Sequence, residues 1–402
     1  MSDIRPFRAV RAANAAAERV IAPPYDVMSE AEARALVAEN PDSFVRVSRP
    51  EAVLPEGADS HAPEAYAAAR REFDAMLRAG LLTRDDRDSY YLYGQKMGDH
   101  FQVGLVAAFS VHEYDTNLIK KHEFTRPDKE RDRVAHIDAT NCQTGMVFLA
   151  YRDQEPLNSL IVKGAQAAPE WRVTTEDDVE HTLWRVSDPA LVDAITRAAA
   201  QLPAAYVADG HHRSAAASIV HRERAGLAGE HAWFLAGLFP ASTLQILAYN
   251  RAVKDLFGHT PASLLAAVGA HFDICVAEPV PEGRGRMTMY LEGTWYGLTA
   301  RDVPTDPVEA LDVSLLQDRV LRPLLGIDNP RTDKRIDFIG GIRGWQELAR
   351  LVDSGTHAVA FHLHPTSLEQ LFAVADSGNV MPPKSTWFEP KLRDAVAMHA
   401  LD

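Results

Sequence analysis

Five consecutive residues, Asp209, Gly210, His211, His212 and Arg213, bring together groups that can hold a phosphate or move a proton. They sit between an apolar run at 204–208 and a helix-forming stretch that opens on small residues at 215–218 and ends at Gly226, the pattern of a strand turning directly into a helix. Such a turn leaves the first helical N–H groups unpaired and puts the positive end of the helix dipole at the turn, so it favours an anion. Arg213 adds a planar fork of donors suited to phosphate, and Gly210 permits a tight turn or a close backbone approach. Adjacent helical side chains point roughly 100° apart, so His211 and His212 are poorly placed to ligate one metal together. The plainer alternative has Asp209 as an ordinary helix cap and the histidines paired to backbone. Three cationic or titratable side chains at a helix start oppose the dipole, and a locally unfavourable choice of this kind points to function.

A second cluster, Lys120, Lys121, Arg126, Lys129, Arg131 and Arg133, is the densest basic stretch of the chain. Its core, HEFTRPDKERDR at 122–133, offers what phosphoryl transfer needs beside a cradle: cations for the developing charge from Arg126, Arg131 and Arg133, and a carboxylate, Glu123, for a metal or the attacking hydroxyl. A solvated charge run is the alternative. ATNCQTG at 139–145 presents Asn141, Gln143 and Thr144 for neutral hydrogen bonds to a polar substrate, or for turn chemistry alone. Asp26, behind the rigid Pro23–Pro24 pair, is a further substrate or metal contact, or a turn aspartate. MPPKSTWFEPK at 381–391 lacks the glycine-rich turn of a P-loop; it reads as a segment closing over the site, or as a terminal strand packing Trp387 and Phe388. His362 and His364 alternate on one strand face without a third ligand nearby, so they read as core or surface.

The elements that must position these groups follow from periodicity and punctuation. Ser29 caps a helix over 30–39 that Asn40–Pro41 ends, and Pro63 opens another running to 79. Strands are expected at 89–97, 101–111 and 146–151, a hairpin at 171–186, a helix at 189–200, the strand and helix around 209–213, and strands at 233–239 and 244–253. Between two of these strands, 112–145 has no helical stripe and reads as a long polar loop, a kind of segment that is uncommon and often functional. From about 258 a second set of strands and helices begins, including a helix at 311–326. The expected architecture is therefore mixed α/β, or α+β, in two units, 1–257 and 258–402.

Composition bounds the function classes. With 402 residues, 46% hydrophobic and 24% charged, the chain is neither disordered nor a small stapled scaffold. Against 42 Lys and Arg stand 56 Asp and Glu, a net charge of −14, which argues against a DNA surface and leaves phosphate recognition to local clusters. Two cysteines, Cys142 and Cys275, build neither a disulfide framework nor a four-cysteine metal site. No apolar stretch has the length of a membrane span or signal core, so a cytoplasmic location without membrane partners is expected.

DGHHR after a strand, with APPYDV, HEFTRPDKERDR, ATNCQTG and MPPKSTWFEPK, resembles over essentially the whole chain a bacterial and archaeal family known as a domain of unknown function (ten-fifteen). DGHHR by itself is similar to a turn of the ParB/sulfiredoxin-like fold, whose members include free-serine kinases that bind nucleotide phosphates there. Sulfiredoxins carry a catalytic cysteine where this chain has His211, which sets sulfur chemistry aside; ParB proteins add a DNA-binding helix-turn-helix that this sequence lacks. The serine-kinase group shares DGHHR itself, so Asp209 through Arg213 carry over, whereas its early catalytic glutamate has no matching motif here. The resemblance implies a nucleotide-binding core and a kinase that uses ATP or ADP with Mg²⁺ to phosphorylate a small hydroxylated metabolite, free L-serine first. In that reading Asp209, His211, His212 and Glu123 are catalytic, and Gly210, Arg213, Arg126, Arg131 and Arg133 bind phosphate. Asn141, Gln143, Thr144 and Asp26 meet the substrate. A nucleotide-binding regulatory protein of ParB-like type, or a phosphate-ester hydrolase using His211 or His212, are the other classes the residues allow.

Overall fold

A computed structural model describes residues 3–402, which divide into two compact units: 3–244 together with Pro390–Asp402, and Gln245–Glu389. The division differs from the expected 1–257 and 258–402 at both ends. Tyr249–Val253 is an interior strand of the second unit's sheet, and the last thirteen residues return to the first unit, where Asp394 bridges Ala22, Met398 bridges Val10, and His399–Ala400 pairs with Cys142–Gln143.

The first unit is built on a mixed sheet. In spatial order its strands are Ile119–Lys120, Ala205–Asp209, Val147–Tyr151, Trp233–Pro240, His100–Ser110, Tyr90–Met97, Val179–Val186 and Trp171–Thr174, with Ile4–Arg5 also pairing to His100–Ser110. Ala205–Asp209 runs parallel to Ile119–Lys120, and Val147–Tyr151 parallel to Trp233–Pro240; the remaining pairs are antiparallel. Near-continuous apolar runs such as Leu105–Phe109 and Val147–Tyr151 are buried throughout, as strands covered on both faces must be. Leu92, Leu105, Phe109, Leu149, Val207 and Phe234 form the core with helix residues Leu157 and Ile195.

The sheet is packed tightly enough that some positions admit only glycine. A Cβ at Gly104 would lie 2.5 Å from the Phe239 ring. Gly104→Ala is expected to cost about 1–3 kcal/mol through overpacking, read as a lower melting temperature; an unchanged value would contradict this packing.

Several expected helices form with the expected chemistry. Ser29 and Glu32 make a reciprocal capping box on Glu30–Glu39, and Pro63–Arg78 starts on its proline. The expected polar loop at 112–145 is the main correction. It contains a short helix, Val111–Asp115, and a 14-residue helix, Pro127–Thr140, with Pro127 in its first turn, Asp128 and Glu130 beside the positive dipole end, and Asn141 in the left-handed conformation as its cap. No apolar stripe announces this helix because the face it buries carries Asp132, His136 and Thr140 beside Ile137.

The second unit has an antiparallel sheet ordered Phe272–Val276, Thr294–Ala300, Arg286–Leu291, Val359–Leu363, Tyr249–Val253, Ile336–Gly340. The Gly344–Asp353 helix covers it through Leu348. The helix expected at 311–326 is shorter: Asp312–Leu316 continues as a π-turn over Gln317–Leu321, just ahead of Pro323, which lacks the N–H that further α-helix requires. Among the described residues, no helix is long and apolar enough to cross a membrane.

Candidate active site

The strand Ala205–Asp209 loses its register with Val147–Tyr151 between Val207 and Asp209, an irregularity that redirects the last side chain. Gly210 follows at φ +89°, and a Cβ there would meet Val147 Cα at 3.4 Å, so both conformation and space favour glycine. Gly210, not Asp209, is the cap of the His211–Glu223 helix, and it offers no capping side chain. The carbonyl of Gly210 accepts from the N–H groups of Arg213 and Ser214, while those of His211 and His212 lie in the turn where no earlier helical carbonyl can reach them. Asp209 Oδ1 accepts from the Gly210 N–H at 2.8 Å, and Oδ2 from Lys391 Nζ at 3.0 Å. Burial pushes the Asp209 carboxyl up, but the Lys391 and Arg213 cations and the bond from Lys391 outweigh it and hold the group below the usual carboxylate range.

Lys391 arrives on the C-terminal segment, which the first unit grips at successive points. Gln95 Nε2 donates to the Lys391 carbonyl at 2.8 Å, Arg393 pairs with Asp177, and the Asp394 N–H donates to the Ala22 carbonyl at 2.8 Å. The same segment places the Asp394 carboxyl, 3% exposed, in the wall of a cavity of about 30 Å³, the size of one or two water-sized groups. Tyr25, Arg133, Thr144, Gly145 and Arg213 share that wall, with Val147 and Phe234 among its apolar members.

Two guanidinium groups converge there, with side chains only 10% and 11% exposed for Arg213 and Arg133. Arg213 Nη1 donates to the Met146 carbonyl at 2.6 Å, Nη2 reaches Asp26 at 3.3 Å, and the buried Nε has no partner. Arg133 donates through Nε and Nη2 to Asp132 Oδ2 at 2.9 and 2.7 Å, leaving Nη1 without a hydrogen bond among the described residues. Asp132 is fixed in turn by Tyr66 and His61. Tyr25 lies under both cations, 3.8 Å from Arg133 and 5.6 Å from Arg213 by ring centre. Burial, with Asp26 beside it, pushes its phenol up to about 12 and keeps it a neutral donor. Asp394 is the unusual member: burial drives it up and Asp26 adds to that, while Arg213 and Arg133 pull it down, and the carboxyl comes to rest at about 7.

The histidines are placed differently from the expectation. His211 is buried edge-on against His122, ring centres 4.5 Å apart, and burial with the His122 ring lowers its pKa well below the ordinary value. His211 Nε2 lacks a hydrogen-bond partner. His212 Nε2 accepts from the Arg126 N–H at 3.1 Å, and burial lowers its pKa too. Neutral imidazoles at the N-terminus remove the conflict with the helix dipole that cationic ones would create.

Of the residues expected to act, the structure brings Asp209, Gly210, Arg213, Arg133, Gln143, Thr144 and Asp26 together around this cleft. Gln143 bonds the backbone of Trp233 and Leu235 with its two ends, so it is fixed as part of the wall. Four residues do not join. Arg126 points to Asp128 in solvent, Arg131 is exposed on its helix, Glu123 is engaged elsewhere and does not line the cavity, and Asn141 is the helix cap, its side chain bound to Arg224 at 2.6 Å. Sequence reasoning left Asp394, Tyr25, Asp132 and His122 outside the site. Asp394 had a signal: it is an acid at the head of AVAMHAL, an apolar run with no other acid. Among the described residues, no group of three or more His, Cys, Asp or Glu side chains is disposed to hold a metal ion.

Among solved structures, the chain is similar to a free serine kinase in complex with AMP, at 11% identity and a TM-score of 0.36 over 71% of this chain and 86% of that one. SbnI with a C-terminal truncation, from Staphylococcus aureus, matches at 13% and 0.38 over 72% and 85%, and a conserved hypothetical protein from Pyrococcus furiosus at 13% and 0.36 over 72% and 93%. Likeness at these scores transfers no chemistry. No curated protein matches the chain. Residues 4–314 match the family described as "Protein of unknown function (DUF1015)", and with well over half its length covered, the chain belongs to that family.

Proposed function

We propose that this protein is a nucleotide-dependent phosphotransferase that moves a phosphoryl group from ATP or ADP to the hydroxyl of a small metabolite, with free L-serine as the first acceptor to test. The observation that carries this reading is the pair of nearly buried guanidiniums, Arg133 and Arg213, the Nε of Arg213 buried without a partner, beside a helix N-terminus and a lysine. Leaving a buried donor unmade costs about 1–3 kcal/mol, which a ligand acceptor at this site would recover. An oxyanion with several acceptor oxygens does so, and the cluster of donors suits the charge that spreads over a phosphoryl group in transfer.

In this reading the N–H groups of His211 and His212, Arg213 and Lys391 hold the nucleotide phosphates. Asp209 orients Lys391 and stays ionised; tied to a cation and an N–H, it is a poor proton acceptor. The cavity is too small for a nucleoside, so it takes the reacting end of the complex, and the rest of the nucleotide lies toward solvent. Mg²⁺ fits this donor set only as a companion of the nucleotide, held chiefly by phosphate oxygens and water, with Asp26 as the half-exposed carboxylate beside Arg213 that would contact it; bound there, it neutralises phosphate charge. Neither His211 nor His212 is presented to an ester, which counts against the hydrolase reading.

The test is incubation of the chain with ATP or ADP, Mg²⁺ and a panel of small hydroxylated metabolites headed by L-serine, read by mass spectrometry. A phosphorylated acceptor formed in step with nucleotide loss is expected. Nucleotide binding without any product would point instead to a regulatory binding protein, and release of inorganic phosphate alone to a hydrolase.

A further inference from the structure

With Asp209 bound to Lys391 and Glu123 outside the cavity, the proposed transfer lacks a group to take the acceptor's proton. Gly145 marks where that group lies. A Cβ built on Gly145 would sit 3.0 Å from Asp394 Oδ1 and 3.5 Å from Arg213 Nε, so a carboxylate oxygen and an unpartnered guanidinium nitrogen flank the same small space, which only a glycine leaves open. The two do not bond each other. A group with a donor on one side and an acceptor on the other fills such a gap, and a hydroxyl is the simplest one.

We propose that the space between Gly145, Arg213 and Asp394 is the subsite for the acceptor hydroxyl, and that Asp394 is the catalytic residue that takes its proton. The assignment rests on the phosphotransferase reading above and deepens it. In the transfer, the acceptor oxygen attacks the terminal phosphorus, a new P–O bond forms, and the P–O bond to the nucleotide's bridging oxygen breaks. The hydroxyl proton passes to an Asp394 oxygen, and the nucleotide leaves one phosphate shorter; Asp394 then returns the proton to solvent. Nothing is oxidised or reduced.

The electrostatics suit the task. A general base works best when its pKa lies near the operating pH, and burial has raised Asp394 to about 7 against the pull of two arginines. The charged and titratable groups around it are Arg213 from the His211–Glu223 helix, Arg133 and His136 from the Pro127–Thr140 helix, and Tyr25 with Asp26 from the loop before Glu30–Glu39; the Ser48 hydroxyl adds a small pull downward. His136 donates from Nε2 to the Val47 carbonyl at 2.9 Å and is held neutral by burial, at about 4, so it does not titrate in the same range.

The experiment is the pH profile of transfer by the wild-type chain beside Asp394→Asn, with nucleotide affinity measured on both by calorimetry. Wild-type kcat is expected to rise about tenfold per pH unit on the acid side and to level off above about 7, as the carboxyl ionises. Asp394→Asn is expected to lose roughly 10²–10⁴-fold in kcat and to lose that limb, while nucleotide affinity stays within about threefold. Asp394→Glu keeps the carboxyl and is expected to recover part of the rate, which guards against an Asn variant that simply misfolds. Asn activity within about tenfold of wild type, or an acid limb that persists in it, overturns the assignment and leaves the phosphotransferase reading standing. Loss of nucleotide affinity together with rate makes Asp394 part of the nucleotide site and also overturns it. A wild-type chain that transfers nothing to any acceptor defeats the parent reading, and the proposed base falls with it.

Discussion

Arg213→Ala is expected to lower nucleotide affinity by roughly 10²-fold, the effect of removing about 3 kcal/mol of charge-assisted hydrogen bonds. The magnitude follows from the position of the side chain. Arg213 is nearly buried, its fork is fixed by Met146 and Asp26, and this holds its charge beside the helix N-terminus where the phosphates would lie. Alanine also strips Asp26 and Asp209 of a neighbouring cation and opens a void, so the unliganded protein should melt at a lower temperature. The two consequences separate experimentally: melting without ligand reads the structural loss, and calorimetry well below the melting point reads the binding loss. Arg213→Lys keeps the charge but not the fork, and should bind weakly without regaining the full affinity. Wild-type affinity in Arg213→Ala would place the phosphates elsewhere.

Lys391→Met carries the second large effect, and its direction differs for binding and for stability. Methionine fills the same space but leaves the Asp209 carboxylate facing Arg213 alone, which is expected to cost about 1–3 kcal/mol of stability, moderated because both groups keep some contact with water. The pH dependence shifts with it. In the wild type the depressed Asp209 pKa contributes stability that is present above the unfolded value of about 4 and lost as pH falls through the still lower folded value. In Lys391→Met that acid-side loss should shrink, since the folded pKa moves back toward the unfolded one. Nucleotide affinity should drop about tenfold through the lost cation. Adding Asp209→Asn to Lys391→Met is expected to restore much of the stability, by removing the unpaired charge, and none of the affinity. If the double variant regained both, Lys391 would be a structural cation only.

What the sequence made legible follows from how locally each feature is encoded. The strand, turn and helix around Asp209–Arg213 are written in adjacent residues and could be read from them, with Gly210 as the helix cap. The Pro127–Thr140 helix was hidden because hydrophobic periodicity detects helices that bury apolar faces, and this one buries Asp132, His136 and Thr140 around the site. The proline, the early acids and the Asn141 cap were the surviving evidence for it. Basic density at 120–133 likewise gathered residues with opposite fates: Arg133 faces the cavity, whereas Arg126, at the helix start, and Arg131, on another side of the helix, face solvent. Asp394 and Lys391 depend on chain return over more than 180 residues to Asp209, and no local pattern encodes such a contact. The unit boundary was missed for the same reason, since the last thirteen residues rejoin a sheet begun near the N-terminus.

The claim on which everything else depends is that nucleotide phosphates bind at Gly210–Arg213. Calorimetric titration of the wild-type chain with ATP and with ADP, each with Mg²⁺, tests it most directly when repeated on Arg213→Ala. Saturable binding of at least one nucleotide at a single site, weakened roughly 10²-fold in the variant, is the result predicted. Absence of binding to the wild type at millimolar nucleotide, or equal binding by both proteins, would contradict it.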